Sequence, residues 1–495
     1  MALAAANMPP RALPALLAGL ADDVPDMNIA SVAIDSRSVR DGGLFLAYQG
    51  TQGHGLDHVE DAVARGARAV AWDADTRPTL SVPDIHVAGL AAQAGPIAAR
   101  FYGDPSHRLF AAGVTGTDGK TSCAWMLAQA FAALGQRCGY MGTLGFGFAD
   151  DLAEATHTTP GPVGVQDWLA RFVAADADAV AFEVSSHALD QHRVDGVAFD
   201  VAVLTQLGRD HLDYHGDMDR YAAAKQRLFA FPGLGTAVLN GDDAHGRAWL
   251  ASLDAAVEPV VYGFGDMAAL GARHVRVISA QPHANGLQLE LQTSWGSARV
   301  ESPLVGRFNA MNLAAVLAVM LARDIDFDAA IEALAQVTTV PGRMQRIDAS
   351  ADQPLVVVDY AHTPGALTHA LEAVRAHADG RVLCVFGCGG DRDRGKRALM
   401  GAAAETADAV WLTDDNPRSE MPADIVRDIR AGMTEKANVT IEHDRRRAIR
   451  AAIAAARPGD VVLIAGKGHE TTQQVGADKR PFDDRIEARR ALEAA

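Results

Sequence analysis

Lys120, Thr121 and Ser122, preceded by glycines at 113, 116 and 119, are the residues whose types and order can hold a nucleoside triphosphate. Glycines let backbone N–H groups approach phosphate oxygens, and the start of a following helix favours anions. A lysine can then reach the terminal phosphates, and a threonine hydroxyl can ligate Mg²⁺. The segment Gly116-Thr117-Asp118-Gly119-Lys120-Thr121-Ser122 lies between two such elements. The apolar run Leu109–Ala112 reads as a buried strand, and Cys123–Leu134, closed by Gly135, reads as a helix. Val114 takes the first glycine's slot in strict Walker spacing, so Gly113 and Gly116 are expected to supply the turn. This stretch is read as an ATP site.

Further polar clusters follow apolar runs. Ala179–Val184 ends on Glu183-Val184-Ser185-Ser186-His187, and Val201–Leu207 runs into Arg209-Asp210-His211-Leu212-Asp213-Tyr214-His215. In an open α/β sheet, ligands gather where strands give way to loops. Glu183 and His211 are therefore candidate Mg²⁺ ligands beside Thr121, with Glu183 the better match because the ion prefers oxygen. Lys225 lies on a helical Tyr221–Phe229 stretch, where by itself it would be a solvated lysine.

The elements that must position these residues alternate strand with helix. Ile29–Ile34, Gly43–Ala47, Ala69–Trp72 and Ile85–Val87, with a helical Val59–Arg65, predict a small N-terminal α/β domain. Its polar loops, Asp35-Ser36-Arg37 and Gly50–Gly55, are ordinary turns or ligand-binding ones; spacing alone does not decide. Gly306–Asn312 leads into a helical Leu313–Leu321, and helical periodicity stops at Thr338–Pro341, a linker. Beyond it, Leu355–Val358, Val382–Phe386, Ala409–Thr413 and Val461–Ala465 predict strands. Helices Ala366–Ala376, Arg397–Thr406, Ile425–Gly432 and Arg447–Ala455 lie among them, making a second doubly wound unit. Its strand ends carry Asp359–Pro364, Gly389–Lys396, Asp414–Arg418 and Gly466–Glu470, and Arg445-Arg446-Arg447 reads as a solvated face. The expectation is an α/β fold in three domains: 1–93, a central P-loop domain 94–339 and a Rossmann-like domain 340–495.

Length and composition agree. A chain of 495 residues with 49% apolar and 22% charged residues has ample core. Its net charge of −17 argues against nucleic-acid or anionic-membrane binding. Four cysteines, 123, 138, 384 and 388, form neither a disulfide framework nor a zinc pattern, as expected in a reducing cytoplasm. Met1–Leu20 is Ala/Leu-rich but has no basic start, contains prolines and runs into Asp22-Asp23; it reads as a surface helix. No apolar run is long enough to span a membrane.

Together, the ordered motifs resemble the Mur ligases, which add amino acids to a UDP-linked peptidoglycan precursor. The resemblance runs over nearly the whole chain, through Asp35–Arg37, Thr115–Ser122, Thr158-Thr159, Glu183–His187, Gln191–Arg193, Asp210–Tyr214, Lys225, Gly306–Asn312, Gly342-Arg343, Asp359–Pro364, Gly387–Lys396, Asp415–Arg418 and Gly466–Glu470. It implies a uridine-nucleotide domain, a central ATPase domain and a C-terminal domain that closes for catalysis. By it, Ile34, Ser36, Thr51, Gln52 and Gly53 would hold the UDP end of the substrate. His157, Thr158, Thr159, Ser185, Gln191 and Arg193 would hold the muramoyl peptide. Lys225 matches a lysine the family carries as a carbamate, which turns a cation into an anion able to support Mg²⁺ but first needs a neutral amine. Lys120, Lys225, His211 and Arg343 would be catalytic, with Asn309 near the adenine and Asp359 reaching ATP on closure.

Asp415-Asn416-Pro417-Arg418 matches the family's diaminopimelate signature, with Arg392, Gly466 and Glu470 as further contacts. meso-Diaminopimelate differs from lysine by a carboxylate beside its distal amine. Arg418 offers that carboxylate a bidentate fork, while Asp415 and Glu470 offer negative charge to the ammonium. A site built around a polar group rejects analogues lacking it, so lysine should be a poor substrate. Asp118, His157 and Gln206 each stand where the family usually has Asn. The implied activity is ligation through an acyl phosphate by a cytoplasmic monomer, with ATP, the UDP-muramoyl dipeptide and meso-diaminopimelate as small-molecule substrates. The rivals are a lysine-adding ligase and a non-catalytic ligase-like scaffold.

Overall fold

Short runs of consecutive apolar residues here become strands buried on both faces, the usual state of a parallel sheet covered by helices. The computed structural model describes residues 3, 6, 8–51, 53–155, 157–283, 285–347, 349–350 and 352–494. The chain divides into two units, one of residues 1–275 with 314–333 and the other of 276–313 with 334–495.

The first unit opens with a four-stranded parallel sheet, Ser31–Ala33, Gly43–Ala47, Ala67–Trp72 and Asp84–His86 in that order. Leu44 and Leu46 pack on Leu90, Ile97 and Phe101 of helix Leu90–Tyr102 on one face; Phe45 and Val70 pack on Val59 and Ala62 on the other. The 93/94 junction expected from the sequence falls inside helix Leu90–Tyr102. A Cβ on Gly95 of this helix would lie 1.7 Å from the Asp195 carbonyl, so the missing side chain lets it approach the central domain. The described residues of the stretch 1–20 do not form the expected surface helix: they include a strand Arg11–Ala12 and a helix of one turn, Leu13–Leu16. Pro14 is tolerated only in a first helical turn, and Leu13, Leu16 and Leu17 are buried rather than facing water.

The central sheet of this unit runs Gly145–Phe148, Cys138–Gly142, Ala179–Glu183, Phe110–Thr115, Val201–Leu204, Thr236–Asn240, Glu258–Gly263. From Cys138–Gly142 to Glu258–Gly263 all neighbours are parallel; Gly145–Phe148 returns antiparallel beside Cys138–Gly142, and Asp151–Ala153 pairs antiparallel with it at that edge. Phe182, Phe172 and Phe199 fill one face, and replacing Phe182 by Ala should cost about 3–5 kcal/mol. Strand Phe110–Thr115 runs further than the sequence suggested. Gly113 therefore belongs to the strand and not the turn, because a Cβ there would meet the Phe199 ring at 2.8 Å.

In the second unit, a six-stranded sheet runs Gln345–Ile347, Leu355–Asp359, Val461–Ala465, Val382–Phe386, Ala409–Leu412, Val439–Ile441. It is parallel apart from its first pair and doubly wound, with Leu367, Leu371, Met400, Ile425 and Ile429 on one face. Ile449, Ile453, Ala488 and Leu492 cover the other. The basic run corrects a second expectation. Arg445 is fully buried, its guanidinium donating to both oxygens of fully buried Asp484 at 2.7 Å and to the Ala465 carbonyl at 2.9 Å. Helix Asp484–Glu493 packs on helix Arg445–Ala455 and brings that carboxylate over, so Arg445 leaves the solvated face while Arg446 and Arg447 stay exposed.

Candidate active site

The loop after strand Phe110–Thr115 is held from the neighbouring strand end. Gly116 has φ +145°, and a Cβ on it would lie 1.8 Å from Thr205 Oγ1. Thr117 N donates to the Gln206 carbonyl at 2.7 Å, and Thr205 Oγ1 donates to the Asp118 carbonyl at 2.6 Å. Gly119, with φ +85°, caps helix Lys120–Ala133, so the helix begins at the lysine rather than at Cys123. Lys120 Nζ folds back onto the carbonyls of Gly116 and Thr117, at 2.9 and 2.8 Å. Burial pushes its amine below the usual lysine range, opposed by Glu183, Asp118 and Asp210. Ser122 follows in the helix's first turn. The Asp118 carboxylate is exposed and accepts from Gln206 Nε2 at 2.8 Å.

Glu183, at the end of its strand, is fully buried. Thr121 Oγ1 donates to its Oε2 at 2.8 Å, Thr143 N to its Oε1 at 2.8 Å and Thr143 Oγ1 to its Oε2 at 3.2 Å. Tyr140 OH donates to Oε1 at 2.5 Å. Each of these hydrogen-bond partners is neutral, and the cation that feels this carboxylate is Lys120 of the phosphate loop. Hydroxyl and carboxylate oxygens in one place suit Mg²⁺, which takes oxygen ligands and completes its shell with phosphate and water. His211 is exposed, at φ +53° and 3.3 Å from Asp210, its ring edge-on to His187 at 4.9 Å. Among the described residues no three His, Cys, Asp or Glu side chains converge as a metal cluster.

Lys225 is not a solvated lysine. It is buried, and its Nζ donates to the Gly116 carbonyl at 2.7 Å, the same oxygen that Lys120 reaches. Burial, and after it the Lys120 charge, bring its amine down to about 6.

Beside Glu183 lies a polar wall. Thr159 Oγ1 donates to the Glu183 carbonyl at 2.8 Å, and Thr158 Oγ1 is 3.2 Å from Thr143 Oγ1. Ser185 caps a short helix, and Arg193 donates to the Thr159 carbonyl at 3.0 Å and to Gln191 Oε1. Ile34 lies close to Gly161, where a Cβ would come within 3.1 Å of it. Tyr48 and Arg193 are near enough to perturb each other's ionisation, which brings the loop leading to Thr51 and Gly53 toward the wall. Ser36 is buried in a turn and hydrogen-bonds Asp61, while Thr51, Gly53 and His157 are exposed. Gln52 lies outside the described residues.

In the second unit, Arg343 stacks over the Tyr360 ring at 4.8 Å. Asp359 accepts from Met344 N and Ala361 N at 2.7 and 2.8 Å, while burial raises its carboxyl. Asn309 is buried, donates to the Val305 carbonyl at 2.9 Å and accepts from Asn312 at 3.0 Å. Asp415 and Asn416 are buried, Asn416 donating to Glu470 Oε2 at 2.8 Å. Gly466, at φ +115°, lets the Asp415 carboxylate lie where its Cβ would be, 2.9 Å away. Pro417 leads into Arg418, which has φ +51° and donates from Nη1 to the Gly390 carbonyl at 2.8 Å. Arg392 is exposed nearby, on the loop after Gly390.

Three family models match in order. They are described as Mur ligase family, catalytic domain (residues 28–102), Mur ligase middle domain (114–320) and Mur ligase, glutamate ligase domain (342–468). A Coxiella burnetii protein named UDP-N-acetylmuramoyl-L-alanyl-D-glutamate–2,6-diaminopimelate ligase is 49% identical, covering 94% of this chain and 96% of its own. The chain belongs to the Mur ligase family. A ligase of the same name from Ectopseudomonas mendocina is 51% identical over 94% of this chain and 95% of its own. A solved structure bearing that name superposes with a TM-score of 0.79 at 34% identity, covering 98% of this chain and 99% of that one.

Within this Mur ligase, the structure joins Thr121 to Glu183, and Lys225 and Lys120 to Gly116, residues far apart in sequence. Sequence reasoning missed Tyr140 and Thr143 on Glu183, Tyr221 on Thr117 at 3.0 Å, and Lys467 on Glu470 at 2.8 Å. The Gly142-Thr143 break after an apolar run was a signal for the first pair, being one more strand end on the same edge.

Proposed function

We propose that this chain is an ATP-dependent ligase that adds meso-2,6-diaminopimelate to UDP-N-acetylmuramoyl-L-alanyl-D-glutamate in peptidoglycan biosynthesis. One observation carries the reading: a phosphate loop with two lysines on one carbonyl stands beside a buried carboxylate that only neutral groups contact. Phosphate and Mg²⁺ complete the charge balance of such a site. The relatives' shared name and the Asp415–Arg418 signature supply the substrates.

In this reading the D-glutamate γ-carboxylate attacks the γ-phosphorus of ATP, giving an acyl phosphate and ADP. The amine of diaminopimelate then attacks the acyl carbon, and phosphate leaves as the C–N bond forms. Carboxylate oxygen is a poor leaving group and phosphate a good one, so the chain's work is positioning and charge neutralisation. Lys120 neutralises the transferring phosphoryl group, and Arg343 and Asp359 act at ATP on closure, with Asn309 near the base. Thr121, Glu183 and His211, with the modified Lys225, would hold Mg²⁺, which would supply positive charge at the phosphates. Lys225 becomes a carbamate, which its lowered pKa favours. Ile34, Ser36 and Thr51–Gly53 hold the uridine diphosphate, and His157, Thr158, Thr159, Ser185, Gln191 and Arg193 the muramoyl peptide. Arg392, Asp415–Arg418, Gly466 and Glu470 hold the diaminopimelate. An N-terminal, a central and a C-terminal domain divide these tasks. We place the enzyme in the cytoplasm as a monomer; its four cysteines are buried, and no helix among the described residues is long and apolar enough to cross a membrane.

Phosphate release from ATP by the purified protein, with the UDP-muramoyl dipeptide, Mg²⁺ and either meso-diaminopimelate or L-lysine, tests this. Release is expected to be fast with diaminopimelate and slow with lysine. Equal release with lysine would overturn the selectivity, and no release with either would overturn the ligase assignment.

A further inference from the structure

A two-stranded hairpin of polar residues, Thr472–Val475 with Asp478–Pro481, is tied to the loop that carries Arg418. Arg418 N donates to the Gln474 carbonyl at 3.2 Å, and Gly476 N donates back to the Arg418 carbonyl at 2.7 Å. Gln474 N donates to Asn416 Oδ1 at 2.8 Å, and Gln473 Nε2 donates to the carbonyls of Asp415 and Asp414 at 2.9 and 3.2 Å. Beneath them the ammonium of Lys467 is wholly buried. It donates to the Thr472 carbonyl at 2.7 Å, to Glu470 Oε2 at 2.8 Å and to Asn416 Oδ1 at 3.2 Å. One side chain therefore joins the hairpin, the Asp415–Arg418 loop and the Gly466–Glu470 loop.

Arg418 needs such support. At φ +51° it sits in the left-handed region, which a side chain with a Cβ disfavours and which persists only where surrounding bonds impose it. Across the loop, a Cβ on Gly390 would fall 1.9 Å from the Pro417 carbonyl and one on Gly389 2.9 Å from Arg418 Nη1. The loop is thus gripped between two glycines and the hairpin. A guanidinium discriminates between carboxylate-bearing and carboxylate-free ligands only if its fork is held in place.

Resting on the amino-acid pocket assigned above, we propose that Lys467 and Gln473 are positioning residues which fix the hairpin to the Asp415–Arg418 loop and so set the preference for an amino acid with a second carboxylate. Neither touches the reacting atoms. Their loss loosens Arg418 and leaves the phosphate loop unaltered.

The test compares Lys467→Met and Gln473→Ala with the unaltered enzyme, using meso-diaminopimelate and L-lysine in separate assays. Acyl-phosphate formation without amino acid is measured alongside. Losing hydrogen bonds of this kind should raise KM for diaminopimelate about tenfold while kcat changes less than about twofold. Catalysis with lysine and acyl-phosphate formation should hold, so that the diaminopimelate-to-lysine ratio of kcat/KM falls. If Lys467→Met does not fold, Gln473→Ala, on a partly exposed hairpin side chain, reads the same ratio. An unchanged ratio, whether both activities fall together or neither does, would overturn the inference while leaving the ligase standing. An unaltered enzyme inactive with both amino acids would overturn the ligase assignment and this inference with it.

Discussion

The phosphate loop and the amino-acid pocket solve the same electrostatic problem in opposite ways. Around the loop, Glu183 is surrounded by hydroxyls and an amide, and the lysines donate to carbonyls rather than to carboxylates. In the pocket, Glu470 is already matched by Lys467: burial works to raise its carboxyl, but the Lys467 bond and charge outweigh that and hold it low. Arg445 with Asp484, and Arg397 with Glu420, repeat that pairing. The first arrangement leaves cation and anion separately available for ligands whose charge is large. The second matches Glu470 with a lysine and, among the described residues, hydrogen-bonds Arg418 to carbonyls, which in the proposed function leaves its guanidinium for a substrate carboxylate. A site for triphosphate and metal needs open charge; a site that tells two amino acids apart needs fixed geometry.

The largest expected effect comes from removing an open charge. Lys120→Ala should slow acyl-phosphate formation by about 10³-fold, the scale of losing one stabiliser of transition-state charge. UDP-substrate binding, followed by calorimetry, should persist, and normal turnover would refute the role. On the pocket side, Arg418→Ala should lower kcat/KM for diaminopimelate about 100-fold with lysine use unchanged. Arg418→Lys should not restore it, since an ammonium lacks the planar fork. If Arg418→Ala weakened both amino acids equally, the contrast between open charge and fixed geometry would fail.

Lys225 sharpens the comparison through pH. With its amine brought to about 6, it is neutral at pH 7 and free to react with CO₂; below about 6 it is a cation and cannot. Activity should therefore fall roughly tenfold per pH unit as pH drops below that value. In CO₂-depleted buffer it should decline and return with bicarbonate, and a ¹³C carbamate resonance should vanish in Lys225→Ala. Stability has its own sign. Between about 6 and the ordinary 10.5 the unfolded chain holds a proton that the folded chain lacks, so this group's contribution makes stability rise with pH across that window. Denaturant midpoints of the unmodified protein at pH 7 and 9 measure it, and Lys225→Met should flatten the rise.

Much of this was legible in the chain. The phosphate loop showed itself because glycine, lysine and hydroxyl residues in that order have few other uses, and parallel strands showed themselves as unbroken apolar runs. What stayed hidden depends on partners distant in sequence. Tyr140 and Thr143 reach Glu183 from 43 and 40 residues away, and Asp484 reaches Arg445 from 39. No local pattern separates a buried arginine from its solvated neighbours in Arg445-Arg446-Arg447. Lys225 reads as solvated because helix Met218–Gln226 is short and polar, yet Tyr221, Ala222 and Ala224 bury beside it. The hairpin over Arg418 has no apolar alternation to betray its strands. Gly113 looked like a turn residue although it serves packing against Phe199.

The smallest effect belongs to Asp118, whose negative charge in a phosphate loop repels the phosphates. Its carboxylate is exposed and accepts from the Gln206 amide, so water and a dipole already screen it. Asp118→Asn should therefore lower the KM for ATP only about two- to fivefold, with kcat nearly constant. Gln206→Glu places a second acid against the first and should raise that KM, and adding Asp118→Asn should largely reverse the rise. A cycle in which the two changes simply add would mean that the 2.8 Å contact does not govern the charge at the loop. A loss of more than about a hundredfold in Asp118→Asn would instead make Asp118 part of the metal and phosphate machinery, and Glu183 would no longer be the loop's principal acid.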